Sequence, residues 1–130
     1  MKNLSHLRVL VVEDNKINQR VILGMLAPLN MQMDVVDTGQ GALDYVQNNP
    51  CDMLLMDVGL EDMDGMEVTQ SIRALSLPVA KSPIIGLTAH ASEADRELCK
   101  EIGMNDCLTK PIDENRLIDS IHTWSETIVH

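Results

Sequence analysis

The run Met53-Leu54-Leu55-Met56 is apolar at every position and stops at Asp57. A strand with one face in water alternates apolar and polar residues, whereas a strand covered on both faces reads as an unbroken apolar run. Val9-Leu10-Val11-Val12, Ile84-Ile85-Gly86-Leu87 and Cys107-Leu108 have the same character, and Glu13-Asp14, Thr88-Ala89 and Thr109-Lys110-Pro111 follow them. Helical spacing fills the intervals, so the chain reads as repeating βα units. Strands are expected at about 7–12, 32–37, 52–56, 84–87 and 107–109. Right-handed crossovers then place helices on both faces of a parallel sheet, giving a doubly wound α/β/α sandwich. The strand ends of such a sheet share one edge, where acidic, hydroxyl and ammonium groups remote in sequence become neighbours.

A chain of 130 residues suits one domain, residues 1–130, with one proper core. With no Phe, one Tyr and one Trp, the interior must be filled by Leu, Ile, Val and nine Met. A net charge of −10 disfavours nonspecific contact with nucleic acid or an anionic membrane surface, so neither is expected as a partner. Cys51, Cys99 and Cys107 are odd in number and lack CxxC spacing, which points away from a disulfide framework or a structural zinc site and toward a reducing cytoplasm. The first residues carry no apolar signal segment, and no apolar run approaches the ~20 residues that span a bilayer. Internal repeats and low-complexity stretches are absent from the sequence.

The first helix is expected over about 16–29, with Ile17, Val21, Ile22, Met25, Leu26 and Leu29 on one core-facing stripe. Asn18 falls within the stripe and is read as a satisfied buried amide, while Leu23 falls outside it. Ser92-Glu93-Ala94-Asp95 has the form of an N-cap opening a fourth helix that stops at Gly103. Asp113 can cap a last helix whose core side is Leu117, Ile118, Ile121, Trp124 and Ile128.

Carboxylates gathered at one edge repel one another and any incoming phosphate, and a divalent cation resolves that conflict. Mg²⁺ prefers oxygen ligands and keeps several waters, so a few carboxylates and a carbonyl suffice. Taken singly, each motif has a plain structural reading: adjacent acids cap helices, a strand-terminal Asp forms turns, and Lys-Pro is a common loop dipeptide. Their order carries more weight than any one of them.

Val11-Val12-Glu13-Asp14-Asn15, Asp57, Met63-Asp64-Gly65, Thr88-Ala89 and Leu108-Thr109-Lys110-Pro111-Ile112, in that order, closely resemble the motifs of the response regulator receiver domain of two-component phosphorelay systems. The resemblance covers nearly the whole chain and implies a flavodoxin-like five-stranded parallel sheet of order 2-1-3-4-5. It implies that Asp57 is the phosphorylated residue and that Mg²⁺ is the cofactor. Asp14 and Asp57 would be direct ligands, Glu13 would hold a ligand water, and Gly59 would supply a backbone carbonyl. Lys110 and Thr88 would contact the phosphoryl oxygens, and Lys110-Pro111 would be a cis peptide. The stretch from Val12 to Val21 is similar to receivers carried by hybrid histidine kinases. That implies a histidine kinase or a histidine-containing phosphotransfer domain as partner, and a cytoplasmic setting even where the parent protein is membrane-bound.

Three positions depart from the family pattern. Glu61 stands where proline is common, Cys107 where many receivers carry Tyr or Phe, and His90 two residues beyond Thr88, a position that controls access to the aspartate. Glu61 is expected to alter the mobility or metal affinity of its loop. Cys107 is read as a small packing residue, in preference to a redox sensor, that cannot act as a swinging ring, and His90 as a steric or solvent-facing group in preference to a general base. Two other classes compete: a phosphorylation-independent interaction module of the same fold, and a haloacid dehalogenase-like phosphohydrolase. The second expects an Asp two residues after its nucleophile, and this chain has Gly59 there.

Overall fold

Every residue of the strand Met53–Asp57 is buried, as expected of the middle of a sheet covered on both faces. The structure, a computed structural model, describes residues 4–89 and 92–128. It contains β1 (Arg8–Val12), α1 (Lys16–Leu26), β2 (Gln32–Val36), α2 (Gly39–Asn48), β3 (Met53–Asp57), α3 (Gly65–Arg73), β4 (Ile84–Thr88), α4 (Glu93–Glu101), β5 (Asp106–Thr109) and α5 (Glu114–Ser125). Short 3₁₀ turns at Ala27–Leu29 and Pro78–Lys81 follow α1 and α3. The strands form one parallel sheet in the order β2-β1-β3-β4-β5.

Alternate residues of the central strands feed two cores. Leu10, Val12, Leu54, Met56 and Ile84 meet Ala42, Val46, Val68, Ile72 and Cys99 on the face covered by α2, α3 and α4. Val9, Val11, Met53, Leu55, Ile85 and Leu87 meet Ile22, Leu26, Leu117 and Ile121 on the face covered by α1 and α5. This is the doubly wound α/β/α sandwich that the apolar runs predict, with the flavodoxin-like strand order that the family resemblance implies.

The local signals behave as read at several helix ends. Ser92 accepts the Asp95 N–H at 3.1 Å and Asp113 accepts the Arg116 N–H at 3.1 Å. Gly103, just past α4, has φ +110°, a conformation that strains any residue with a β-carbon. Leu117 and Ile121 are buried, while Ile118, Trp124 and Ile128 pack at the margin of the core.

The first helix departs from expectation. It ends at Leu26 rather than Leu29, because Pro28 cannot donate to the preceding turn and the chain tightens into a 3₁₀ turn. Ile17 and Val21, placed on the core stripe by spacing, are 72% and 45% exposed. Helix α1 reaches the core mainly through Ile22 and Leu26, one helical turn apart. Asn18 is half-buried rather than buried, and its backbone N–H donates to Oδ1 of the N-cap Asn15 at 3.0 Å. Leu23 is half-buried. Strand ends shift by one residue, and Asp57 and Thr88 are the last residues of β3 and β4 rather than the first beyond them.

Candidate functional site

Strands β1, β3, β4 and β5 end on one edge, and their terminal residues meet there. Asp57 pairs with Leu87, and Thr88 with Thr109, so the parallel register draws the tips of β3, β4 and β5 level. Glu13 extends beyond β1, with its N–H bonded to the Val36 carbonyl at 3.1 Å. Lys110 leaves β5 with its N–H on the Thr88 carbonyl at 2.7 Å, and the Lys110-Pro111 peptide is cis.

The Lys110 ammonium lies 3.1 Å from Oδ1 of Asp57 and 3.1 Å from Oε1 of Glu13. Oδ1 of Asp57 also accepts the Gly59 N–H at 2.9 Å. Asp14 stands half-buried beside them, held through Oδ2 by the Glu61 N–H at 3.1 Å. One carboxylate oxygen from each of Glu13, Asp14 and Asp57 lies within 4.8 Å of the others. Glu13 is fully buried, and its Oε2 has no hydrogen-bond partner among the described residues. A buried acceptor left unmatched is costly, so this oxygen calls for a proton, a water or a cation.

The electrostatics follow from burial and from the crowding of charge. Burial, reinforced by the neighbouring Asp57 carboxylate, pushes Glu13 up to about 7. Burial acts the same way on Asp57, but hydrogen bonding from Glu13 and Gly59 and the Lys110 charge outweigh it and hold Asp57 below the ordinary carboxylate range. Burial works against the Lys110 ammonium, and the two carboxylates overcome it and raise its pKa. The site therefore pairs an ionised carboxylate and an ammonium with a second carboxyl that binds a proton or a cation in its place.

Of the residues singled out in the sequence, Glu13, Asp14, Asp57 and Lys110 come together directly. Thr88 is half-buried at the adjoining strand tip, and Gly59 sits in the exposed loop after β3, its N–H turned onto Asp57. Cys107 lies below the edge, 9% exposed, with its sulfur 3.5 Å from that of Cys99. His90 lies outside the described residues.

Gln19 and Asp62 carried no legible role in the sequence, and Gly65 stood there only as part of a motif. Gln19 donates its side-chain amide to the Glu13 carbonyl at 2.6 Å, fixing the turn between β1 and α1. Asp62 accepts the N–H groups of Gly39 and Gln40 at 2.8 and 3.1 Å, tying the loop after β3 to the start of α2. Gly65 donates its N–H to the Val58 carbonyl at 3.0 Å and closes the loop directly beneath Asp57.

Residues 9–122 match the family model for the response regulator receiver domain, and the chain belongs to that family. It is 35% identical over 120 residues to the sensor histidine kinase RcsC of Salmonella typhi, covering 92% of this chain and 12% of that protein. It is 37% identical over 120 residues to the sensor protein GacS of Pseudomonas syringae pv. syringae, covering 91% of this chain and 13% of that protein. The chain thus spans about an eighth of the length of these curated relatives. Among solved structures it resembles the receiver domain of sensor histidine kinase PA1611 from Pseudomonas aeruginosa PAO1, which holds a magnesium ion in its active-site cleft. That match has a TM-score of 0.82 and 39% identity, covering 92% of this chain and 97% of that one. The chemotaxis protein CheY4 of Vibrio cholerae shares the fold at a TM-score of 0.84 and 24% identity, covering 92% of this chain and 98% of that one.

Proposed function

We propose that this receiver domain, formed by residues 1–130 as one unit, accepts a phosphoryl group on Asp57 from a phosphohistidine of a histidine kinase or a histidine-containing phosphotransfer domain. The observation that carries this reading is the joint hold of Lys110 on Asp57 and Glu13, at 3.1 Å each, in a three-carboxylate cluster containing a buried unmatched oxygen. Similarity to the receivers of hybrid sensor kinases supports the choice of donor.

Asp57 attacks phosphorus through a carboxylate oxygen, the phosphorus–nitrogen bond breaks, and its electron pair returns to the donor imidazole. Lys110, already on Oδ1 of Asp57, can transfer one hydrogen bond to a phosphoryl oxygen as negative charge develops there. Thr88, at the next strand tip, offers a hydroxyl to another oxygen. The Gly59 N–H orients the nucleophile throughout. Glu13, Asp14 and Asp57, with the Gly59 carbonyl, would hold Mg²⁺, and the orphaned Glu13 oxygen fits that demand. Bound there, Mg²⁺ would neutralise the charge that separates carboxylate from phosphate. The new acyl phosphate biases two conformations through contacts that Thr88 and Lys110 make in only one of them.

The acidic surface suits a protein partner rather than nucleic acid. No helix among the described residues is long and apolar enough to cross a membrane. We place this unit's chemistry on the cytoplasmic side. The test is to incubate the chain with a small acyl phosphate and with phosphorylated phosphotransfer domains, with and without Mg²⁺. Intact mass is followed for the native chain and for Asp57→Asn. A Mg²⁺-dependent gain of one phosphoryl group, absent from the variant, is the expected result. No gain from any donor would overturn the reading and favour an interaction module that works without phosphorylation.

A further inference from the structure

Cys99 on α4 and Cys107 on β5 are 2% and 9% exposed, and both are free thiols. Their sulfurs stand 3.5 Å apart, in van der Waals contact across two different elements. Cys99 is the buried residue of α4 and lies with Cys107 in the core on that face of the sheet. We propose that Cys99 and Cys107 form a reversible oxidation site, at which a peroxide closes a disulfide that staples α4 to β5.

The geometry needs little change. A disulfide sets its sulfurs about 2.05 Å apart, so the pair must close by roughly 1.5 Å. The other side chains of α4 are partly or fully exposed, which leaves this helix free of further packing that would resist the approach. Cys51 provides a contrast. It is buried at the opposite end of the strands, before β3, and its thiol donates to the Met53 carbonyl at 3.2 Å.

The chemistry balances in two steps. Cys107, nearer the surface, attacks one peroxide oxygen as its thiolate. The O–O bond breaks, the departing oxygen leaves as water after taking up protons, and a sulfenic acid remains. Cys99 then attacks the sulfenic sulfur, an S–S bond forms, and the hydroxyl leaves as a second water with the Cys99 proton. Two electrons pass from the two sulfurs to the peroxide, and a dithiol reductant returns them. Burial and the adjoining Cys99 push the Cys107 thiol up to about 12, so the resting thiolate is scarce. Oxidation is accordingly slow, and the site answers sustained rather than brief exposure. Helix α4 follows the loop after Thr88, so the staple would fix the element next to the candidate phosphorylation site. The proposal goes beyond the phosphoryl chemistry and does not depend on it.

The test treats the reduced full chain with hydrogen peroxide, then blocks free thiols and measures intact mass and tryptic peptides. Trypsin cuts after Lys100, so a linked pair appears as a cross-link between two peptides. Expected are a mass loss of two hydrogens, a Cys99–Cys107 cross-link, a blocked Cys51 and full reversal by dithiothreitol. Amide exchange in residues 93–101 should slow several-fold in the oxidised form, and Cys51→Ala should change none of this. Cys99→Ala should abolish the mass loss and gain oxygen atoms on Cys107 instead, whereas Cys107→Ala should abolish the mass loss and leave Cys99 reduced. Separate oxidation of the two cysteines in the native chain, a bond to Cys51 or to a second chain, or a bond formed only in denaturant would overturn the proposal. Unchanged exchange in α4 after bonding would overturn the staple.

Discussion

Gly65 lies so close beneath Asp57 that a β-carbon at position 65 would overlap the Asp57 carbonyl oxygen and stand 2.8 Å from the Val58 α-carbon. The loop that returns from β3 to α3 therefore passes in backbone-to-backbone contact under the candidate nucleophile. Side-chain repacking cannot relieve such a clash, because both partners are main chain. Gly65→Ala is expected to lower stability by about 2–3 kcal/mol. It should also reduce phosphorylation of Asp57 in the fraction that remains folded. Denaturant melts together with acyl phosphate labelling check this, and an unchanged melt would refute it.

Lys110 contacts the carboxyl groups of Asp57 and Glu13 at once, at 3.1 Å each. Lys110→Gln keeps a donor but removes the charge, leaving Asp57 and Glu13 to repel each other. Phosphotransfer to Asp57 is expected to fall about 100-fold, as when a preorganised oxyanion partner is lost. Single-turnover transfer from a phosphohistidine donor measures this, while circular dichroism confirms the fold. A rate within a few-fold of the native chain would remove Lys110 from the proposed mechanism.

Glu13 predicts an unusual pH profile for the metal-free protein. Its ordinary value is 4.5, and burial beside Asp57 raises it to about 7 in the folded state. Between those values the folded chain binds more protons than the unfolded chain, so stability falls as pH rises from about 4.5 to about 7. The loss is expected to be roughly 1–3 kcal/mol. Asp57, held below its ordinary 3.8, acts below that window, where its contribution is lost with falling pH. Adding Mg²⁺ at pH 8 should restore the stability lost by Glu13, and Glu13→Gln should flatten the slope. Urea melts at several pH values, with and without Mg²⁺, provide the measurement.

Glu61 acts on the site through its backbone. Its side chain is exposed, and its N–H holds Oδ2 of Asp14 at 3.1 Å. Proline at this position would delete that donor, whereas glutamine would keep it. Glu61→Pro is expected to weaken Mg²⁺ binding by about 3- to 10-fold, the worth of one hydrogen bond. Glu61→Gln should stay within about 2-fold, because an exposed charge is screened. Titration calorimetry separates the two, and equal affinities would show that the loop does not position Asp14.

Arg73 fastens the end of α3 to two separate segments, the connections that lead into β4 and β5. It donates to the carbonyls of Gly103, Ala80 and Ser82 and to the side chain of Asn105, at 2.6–2.9 Å. Arg73→Ala would leave several half-buried carbonyls unmatched and is expected to cost about 3 kcal/mol. Arg73→Lys should recover less than half of this, since a single ammonium cannot reproduce the planar fork. Chemical denaturation of both variants tests the prediction.

The sequence by itself determined the sheet and the cast of the site. Unbroken apolar runs can be satisfied only between two helical layers, so β1, β3 and β4 and the edge at which they end were legible before any coordinate. The order of Glu13-Asp14, Asp57, Thr88 and Lys110 placed their groups at that edge, because parallel strands share a direction. Strand order came from family resemblance, since a hydrophobic pattern does not say which strand pairs with which.

Tertiary structure decided the rest. It fixed which face of α1 is covered, leaving Ile17 and Val21 outside, because a helix meets a sheet along a narrower strip than its apolar positions suggest. It left one oxygen of Glu13 unmatched, passed Gly65 beneath Asp57, and gave the Glu61 N–H to Asp14, all through contacts between segments remote in sequence. It also set the sulfurs of Cys99 and Cys107 in contact, which spacing along the chain does not reveal. Periodicity records the average surroundings of an element, whereas distances between particular atoms arise only when separate elements are packed against one another.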